Sequence, residues 1–100
     1  MKMILDFINI FRTKETEKIF LNKGSYWFAK ILFDRFNKEF PDTLIYYNPI
    51  DEKFGCRINN IIYDITGEVF VKDQIWYDLN FYKIINKFNY EELEKKFIFI

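Results

Sequence analysis

Ser25 is the residue whose type and position could carry hydrolytic chemistry in this chain. It follows Gly24 in the segment GSYWFAKILFDRF, whose apolar spacing predicts a helix. A serine hydroxyl at the tip of a helix could act as a nucleophile. It could equally be the helix N-cap, accepting a backbone N–H and stabilising the helix by about 1 kcal/mol. The sequence leaves both alternatives open.

The elements that position Lys53 and Asp64 are predicted to be strands of an antiparallel meander. The segments TLIYYN, KFGCRI and IIYDIT read as three strands, and Asn59 and Asn60 suit a two-residue type I′ turn because asparagine tolerates positive φ. That turn fixes the register and predicts one apolar face. Its pairs are Ile58 with Ile61, Cys56 with Tyr63, and Phe54 with Ile65.

The opposite face of the same strands collects the charged side chains. The register sets Asp64 across from Gly55 and diagonal to Lys53 and Arg57. We expect these to form a half-exposed salt-bridge trio, worth at most about 1 kcal/mol. A glycine within a strand often marks the close approach of another group, and Gly55 is expected to do so here.

The order SYWFAKIL, YYNPIDEKF and YDITG resembles the small papain-like cysteine peptidase-type domains of phages and other mobile elements. The resemblance covers roughly residues 24–68. In such domains a cysteine opens an aromatic-rich helix, a histidine opens a strand, and an aspartate on the next strand orients the histidine. By position, Ser25 stands for the cysteine, Lys53 for the histidine and Asp64 for the aspartate.

Two of these three positions are changed, so the resemblance implies a scaffold that has lost its chemistry. Lysine titrates near pH 10.4, whereas histidine titrates near about 6.5. Asp64 beside Lys53 would favour the charged, non-basic lysine still further. We therefore expect no active catalytic residue in the degenerate cluster of Ser25, Lys53 and Asp64, although a residual Ser/Lys hydrolase or acyl transferase stays the alternative.

The composition excludes several other kinds of site. The chain has no histidine and one cysteine, Cys56, which excludes an internal disulfide and cysteine-based zinc binding. Its net charge is zero, so we expect no direct binding to nucleic acid. We expect no cofactor and no metal. Asp6 and Asn9 interrupt the apolar run MKMILDFINIF, which favours a cytoplasmic protein of the host cell, without a signal peptide or membrane span.

The pattern as a whole predicts a single α+β domain over residues 1–100. A small antiparallel sheet of three or more strands should pack against a central helix with flanking helices, as a papain-like minimal core. We place helices over about residues 2–11 and from Ser25 to near Phe40, where Pro41 follows, and another from Asn80. The polar segment RTKETEK should follow the first helix, IFL should be strand or irregular, and VFV should be a short strand after Gly67 ends the hairpin.

Exposed aromatic side chains carry the main functional hypothesis. Tyr47, Trp76, Tyr77 and Tyr82 are candidate anchors of a protein interface, where tyrosine and tryptophan are enriched. The resemblance and the small size of the chain further imply a non-catalytic inhibitor of mobile-element origin that occludes a protein target, such as a host defence complex, in the manner of an anti-CRISPR protein. A structural or assembly subunit that dimerises through the tail FIFI is a further alternative.

Overall fold

The computed structural model describes residues 2–21, 23–69 and 76–80. Within these ranges the helices precede a sheet whose paired strands are all antiparallel, in the order β4-β3-β2-β1-β5. The prediction of an α+β fold with an antiparallel sheet against a central helix is confirmed. The helices are α1 (Lys2–Phe11), α2 (Lys14–Leu21) and α3 (Ser25–Phe36), and the strands are β1 (Leu44–Asn48), β2 (Lys53–Ile58), β3 (Ile61–Asp64), β4 (Gly67–Glu68) and β5 (Tyr77–Asp78).

Helix α2 includes the residues of IFL, so the prediction that IFL is strand or irregular was wrong. The Thr16 backbone N–H donates to Thr13 Oγ1 at 3.2 Å, and the Thr13 N–H donates back to Thr16 Oγ1 at 3.0 Å. This reciprocal pair satisfies two backbone donors at the start of α2, as a capping box does. Glu15 and Glu17 add negative charge in the first turn, where the helix dipole favours it.

Helix α3 begins one residue earlier than it would if Ser25 were the N-cap, which corrects the prediction for Ser25. Gly24 is the N-cap residue, Ser25 is the first helical residue, and no side chain caps this end. The Gly24 N–H donates to the Ile19 carbonyl at 3.0 Å. A Cβ on Gly24 would lie 2.8 Å from that carbonyl oxygen, so the tight junction between α2 and α3 requires glycine.

The same helix ends at Phe36 and not near Phe40, which is a second correction. The side-chain amide of Asn37 donates to the Phe33 carbonyl at 2.7 Å and takes up an acceptor of the last turn. Asparagine competes with the backbone in this way, and it ends the helix before Pro41 can act.

The turn between β2 and β3 has the predicted form. Asn59 and Asn60 have φ values of 52° and 68°, as a type I′ turn requires. Ile58 pairs with Ile61 and Cys56 with Tyr63, which confirms the register. After β3 the chain departs from the prediction, because Gly67 begins β4 instead of ending the hairpin.

The core lies between α3 and the face of the sheet that carries Phe54, Cys56 and Ile58. All three side chains are buried, and α1 closes the core from one end with Ile4 and Ile8. On α3 the buried side chains include Phe28, Ala29, Leu32 and Phe36, whereas Ile31 is only half-buried. None of the described helices is long and apolar enough to cross a membrane.

Several predictions lie outside the described residues. These are most of VFV, the helix from Asn80 onward, Tyr82, and the tail FIFI at residues 97–100. The dimer expected through that tail therefore stays a prediction.

We predict that the Cys56 thiol is unreactive in the folded protein. Burial raises its pKa to about 12 from an ordinary value of 9.0, so the thiolate is absent at mildly alkaline pH. Because the folded state keeps this proton to a higher pH than the unfolded state, stability falls as the pH rises from about 9 towards about 12. A disulfide reagent should therefore react with Cys56 only in denaturant. Rapid labelling in native buffer would contradict the buried position.

Candidate functional site

The hydroxyl of Ser25 is engaged in holding α3 to the sheet. Ser25 is 2% exposed, and its Oγ accepts the backbone N–H of Phe54 in β2 at 3.0 Å. The Phe54 ring packs edge-on against Tyr26, with ring centroids 5.1 Å apart. One hydrogen bond and one ring contact therefore join the first turn of α3 to β2.

Lys53 directs its side chain to the other face of β2. Its Nζ lies 5.7 Å from the centroid of the Trp76 ring. Because successive residues of a strand point to opposite faces, the Phe54 ring faces α3 and the Lys53 side chain faces away from it. The ammonium is thus placed for a cation–π contact and not as a base for Ser25.

Asp64 shapes the turn between β3 and β4. The carboxylate is 5% exposed, and its Oδ1 accepts the Thr66 backbone N–H at 2.8 Å and the Thr66 hydroxyl. Neither Lys53 nor Arg57 forms an ion pair with it in the described part of the chain. The predicted salt-bridge trio was therefore wrong, because the carboxylate is used within its own turn.

Each polar group of the degenerate cluster is thus held by a different part of the structure. Ser25 and Lys53 face opposite sides of the sheet, so the hydroxyl and the ammonium form no nucleophile and base pair. Asp64 orients Thr66 and not Lys53. This arrangement can carry structure, but it lacks the mutual contacts that a triad needs.

The sheet face turned away from α3 carries a groove of about 390 Å³. All five strands or their flanking residues contribute to it, and it is lined by aromatic, aliphatic and polar residues. The lining residues are Tyr46, Arg57, Asn60, Ile61, Ile62, Glu68, Val69 and Trp76. A concave surface of this volume and composition can receive a side chain or a small ligand.

Gly55 allows Trp76 to lie close to the sheet. A Cβ on Gly55 would be 3.2 Å from Cζ3 of Trp76 and 2.8 Å from Cγ2 of Ile62. Both are groove residues, so the expectation that another group approaches this glycine is confirmed. The absence of a side chain here brings the indole against β2, beside Lys53.

The adjacent tyrosines of β1 divide between the two faces, and Tyr46 is the one that reaches the groove. Tyr47 is 5% exposed and packs against Phe54 at 4.7 Å in the core. The prediction of Tyr47 as an exposed anchor is therefore corrected in favour of Tyr46. Tyr77 is half-buried and pairs with Tyr47 in β5, whereas Tyr82 lies outside the described residues.

Arg57 is the other groove residue that the sequence did not single out as a binding group. Its Nη1 donates to the Tyr46 hydroxyl at 3.4 Å, its Nη2 donates to Asn60 Oδ1, and its Cζ lies 5.8 Å from the Tyr46 ring centroid. The alternation around Gly55 was the available signal, because it puts Lys53 and Arg57 on one face. The residues of β1 that lie next to Lys53 and Arg57 are set by the pairing of β1 with β2, which the sequence did not reveal.

Acidic and cysteine side chains do not assemble a metal site among the described residues. No group of three or more such side chains lies close enough to hold an ion in this part of the chain. The groove therefore offers donors and rings rather than metal ligands.

A family model described as phage YunG-like protein matches residues 3–98 of the chain. The match includes α1, all five strands and the groove residues. No curated protein and no solved structure gives a significant match.

We predict that Ser25→Ala lowers the free energy of unfolding by about 1–3 kcal/mol, because the buried Phe54 N–H loses its acceptor. Urea denaturation measures the change. Ser25→Cys keeps most of the side-chain volume and a weak acceptor, so its loss should be smaller. An unchanged stability for Ser25→Ala would contradict the structural role, and labelling of wild-type Ser25 by a serine-directed activity probe would contradict the loss of chemistry.

Proposed function

The chain belongs to the phage YunG-like protein family, and from this premise we propose that it is a non-catalytic inhibitor that binds a protein of the infected host. Family membership makes it a small protein of phage origin. A phage protein of this size can act on a host complex by covering a surface that the complex needs. The function then resides in a binding surface and not in a reaction.

The groove opposite α3 is the observation that supports this proposal. Tyr46, Trp76 and Arg57 line it together. Tyrosine, tryptophan and arginine are the residue types that contribute most of the binding energy in protein interfaces. Ile62 and Val69 add apolar surface between them, so a partner side chain can be desolvated at the centre of the contact.

The polar residues of the degenerate cluster support the non-catalytic part of the proposal. The Ser25 hydroxyl accepts the Phe54 N–H, and the Lys53 ammonium lies over Trp76 on the far face of β2. A serine nucleophile needs a base within hydrogen-bond reach, and lysine qualifies only when it is neutral. The papain-like ancestry itself stays a prediction from the resemblance.

The finer form of the proposal is an anti-defence role in the host cytoplasm, of the anti-CRISPR type. It rests on phage origin and on the small size of a chain with 100 residues. Occlusion of a defence complex requires no turnover, which agrees with a surface built from rings and a guanidinium.

The two tryptophans provide a matched test of the binding surface. Trp76 lies in the groove, whereas Trp27 is 41% exposed on α3. We predict that Trp76→Ala reduces the recovery of a host partner by about tenfold or more, as for a hot-spot residue. Quantitative capture from a lysate of the host, with wild type and both variants, measures the change.

Trp27→Ala is the control and should recover the partner as the wild type does. Melting curves of both variants show whether each is folded at the assay temperature. Loss of the partner with Trp27→Ala and not with Trp76→Ala would move the binding surface to the helices and contradict the groove.

We also predict that expression of the chain restores phage plating on a host with active CRISPR immunity. Trp76→Ala should abolish the effect and Trp27→Ala should keep it, because only the first lies in the groove. The ratio of plaques on immune and non-immune hosts is the measurement. Unchanged plating by the wild type, with capture of a partner intact, would overturn the anti-CRISPR form alone.

A further inference from the structure

The three arginines of the chain differ in how their charge is balanced. Arg12 forms an ion pair with Glu17, and Arg35 forms one with Glu39, each at 3.2 Å. Arg57 has no carboxylate partner among the described residues. It is the arginine that lines the groove. A guanidinium beside apolar walls without a counter-charge is an incomplete ion pair.

Neighbouring side chains hold the Arg57 guanidinium in place without neutralising it. The Tyr46 hydroxyl and Asn60 Oδ1 each accept a hydrogen bond from one N–H group of the guanidinium. The centroid of the Tyr46 ring lies 5.8 Å from Arg57 Cζ. The acceptors are uncharged, so the positive charge is kept. Because the guanidinium is held on two sides, little side-chain entropy is lost when its remaining donors bind a ligand.

Neither Glu68 nor Asp64 forms an ion pair with Arg57 in the described part of the chain. Glu68 lines the groove, but it pairs with Tyr63, whose ring is in the core, so alternation along the strand directs its side chain towards the α3 face. Burial and then the Glu68 charge raise the pKa of Tyr63, which agrees with that placement. Asp64 accepts from Thr66 in its turn.

Asp78 is the carboxylate that shares the groove face with Tyr46, at the outer edge of the sheet. It pairs with Tyr46 in β5, and its Oδ1 accepts the Asn80 N–H at 2.9 Å. It forms no ion pair with Arg57 or Lys53. Arg57 is therefore the cation among the residues that line the groove, and none of the described carboxylates pairs with it.

We propose that Arg57 binds the side-chain carboxylate of an aspartate or glutamate on the partner protein, while Trp76 and Ile62 receive an adjacent apolar side chain. This inference rests on the proposed function, since it names the chemistry that the same groove recognises. A planar guanidinium matches a carboxylate with two parallel hydrogen bonds, which gives orientation as well as affinity.

A nucleic-acid backbone fits this surface less well. Binding a run of phosphates requires clustered cations, and the net charge of the chain is zero. On this face, Lys53 lies over the Trp76 ring and Arg57 lies over the Tyr46 ring. The two cations therefore contact separate rings and do not form a row of positive charges along which a phosphate backbone could bind. The Arg57 guanidinium and the Trp76 indole both line the groove. A ligand with one carboxylate next to one apolar side chain matches these two groups.

An NMR titration of the full chain with acetyl-aspartyl-leucine amide tests the inference. In a Trp27→Phe background the indole N–H signal reports on Trp76 alone, since the chain has two tryptophans. We expect the peptide to shift this signal and the Arg57 side-chain signal. Acetyl-asparaginyl-leucine amide, which lacks the charge, should bind about tenfold more weakly or worse.

Matched arginine variants identify the binding group. Arg57→Gln should lose the response, Arg57→Lys should keep part of it because the charge remains, and Arg35→Gln should respond as the parent does. Equal binding of the two peptides, no response to either, or full binding by Arg57→Gln would overturn the inference. So would tighter binding of inorganic phosphate, or of acetyl-leucine with a free terminal carboxylate.

The test of the carboxylate site and the test of the inhibitor proposal can fail independently of each other. If Trp76→Ala loses a host partner and Arg57→Gln keeps it, the binding surface stands and the carboxylate inference fails. If no host partner is found although the aspartyl peptide binds through Arg57, the inhibitor proposal fails and the carboxylate site stands.

Discussion

The buried hydrogen bond from the Phe54 N–H to the Ser25 hydroxyl joins the two layers of this fold. It lies where the first turn of α3 meets the start of β2, and the ring of Phe54 continues the contact against Tyr26 and Tyr47. A backbone donor at this depth cannot reach water, so losing its acceptor costs about 1–3 kcal/mol. The residue that most resembles a nucleophile is thereby committed to structure.

With α3 fixed on one face of the sheet, the other face is left to the groove. Alternation along β2 sends Phe54 and Cys56 into the core, and it sends Lys53 and Arg57 to the far side. Gly55 between the two cations lets the Trp76 ring approach. Strand β2 therefore contributes both the contacts with α3 and the charged residues of the proposed binding surface.

This division supports the proposal that the function lies in the groove and not in a catalytic triad. Arg57 in the groove and Lys53 on the same face of the sheet each lie against an aromatic ring, and neither forms an ion pair with a carboxylate of the described residues. Such a surface gains affinity when a partner supplies both apolar area and negative charge. Recognition, unlike catalysis, does not need a group that titrates near neutral pH.

The sequence by itself determined the features that depend on local chemistry. The Asn59 and Asn60 turn, the register that pairs Cys56 with Tyr63, and α1 follow from conformational preference and periodicity over short spans. The helix α2 was also encoded locally, by the threonine pair that caps it. Its pattern differs from the usual capping box in using threonine where glutamate or glutamine is common.

Only the tertiary structure decided what the polar and aromatic side chains do. Whether Ser25 caps, reacts or binds the sheet depended on the position of the Phe54 N–H, 29 residues away in the chain. Which of Tyr46 and Tyr47 faces the groove depended on the pairing of β1 with β2 and on where α3 packs. A hydroxyl or a ring fits several environments at similar local cost, so contacts between distant segments, and not the residue type, select its role.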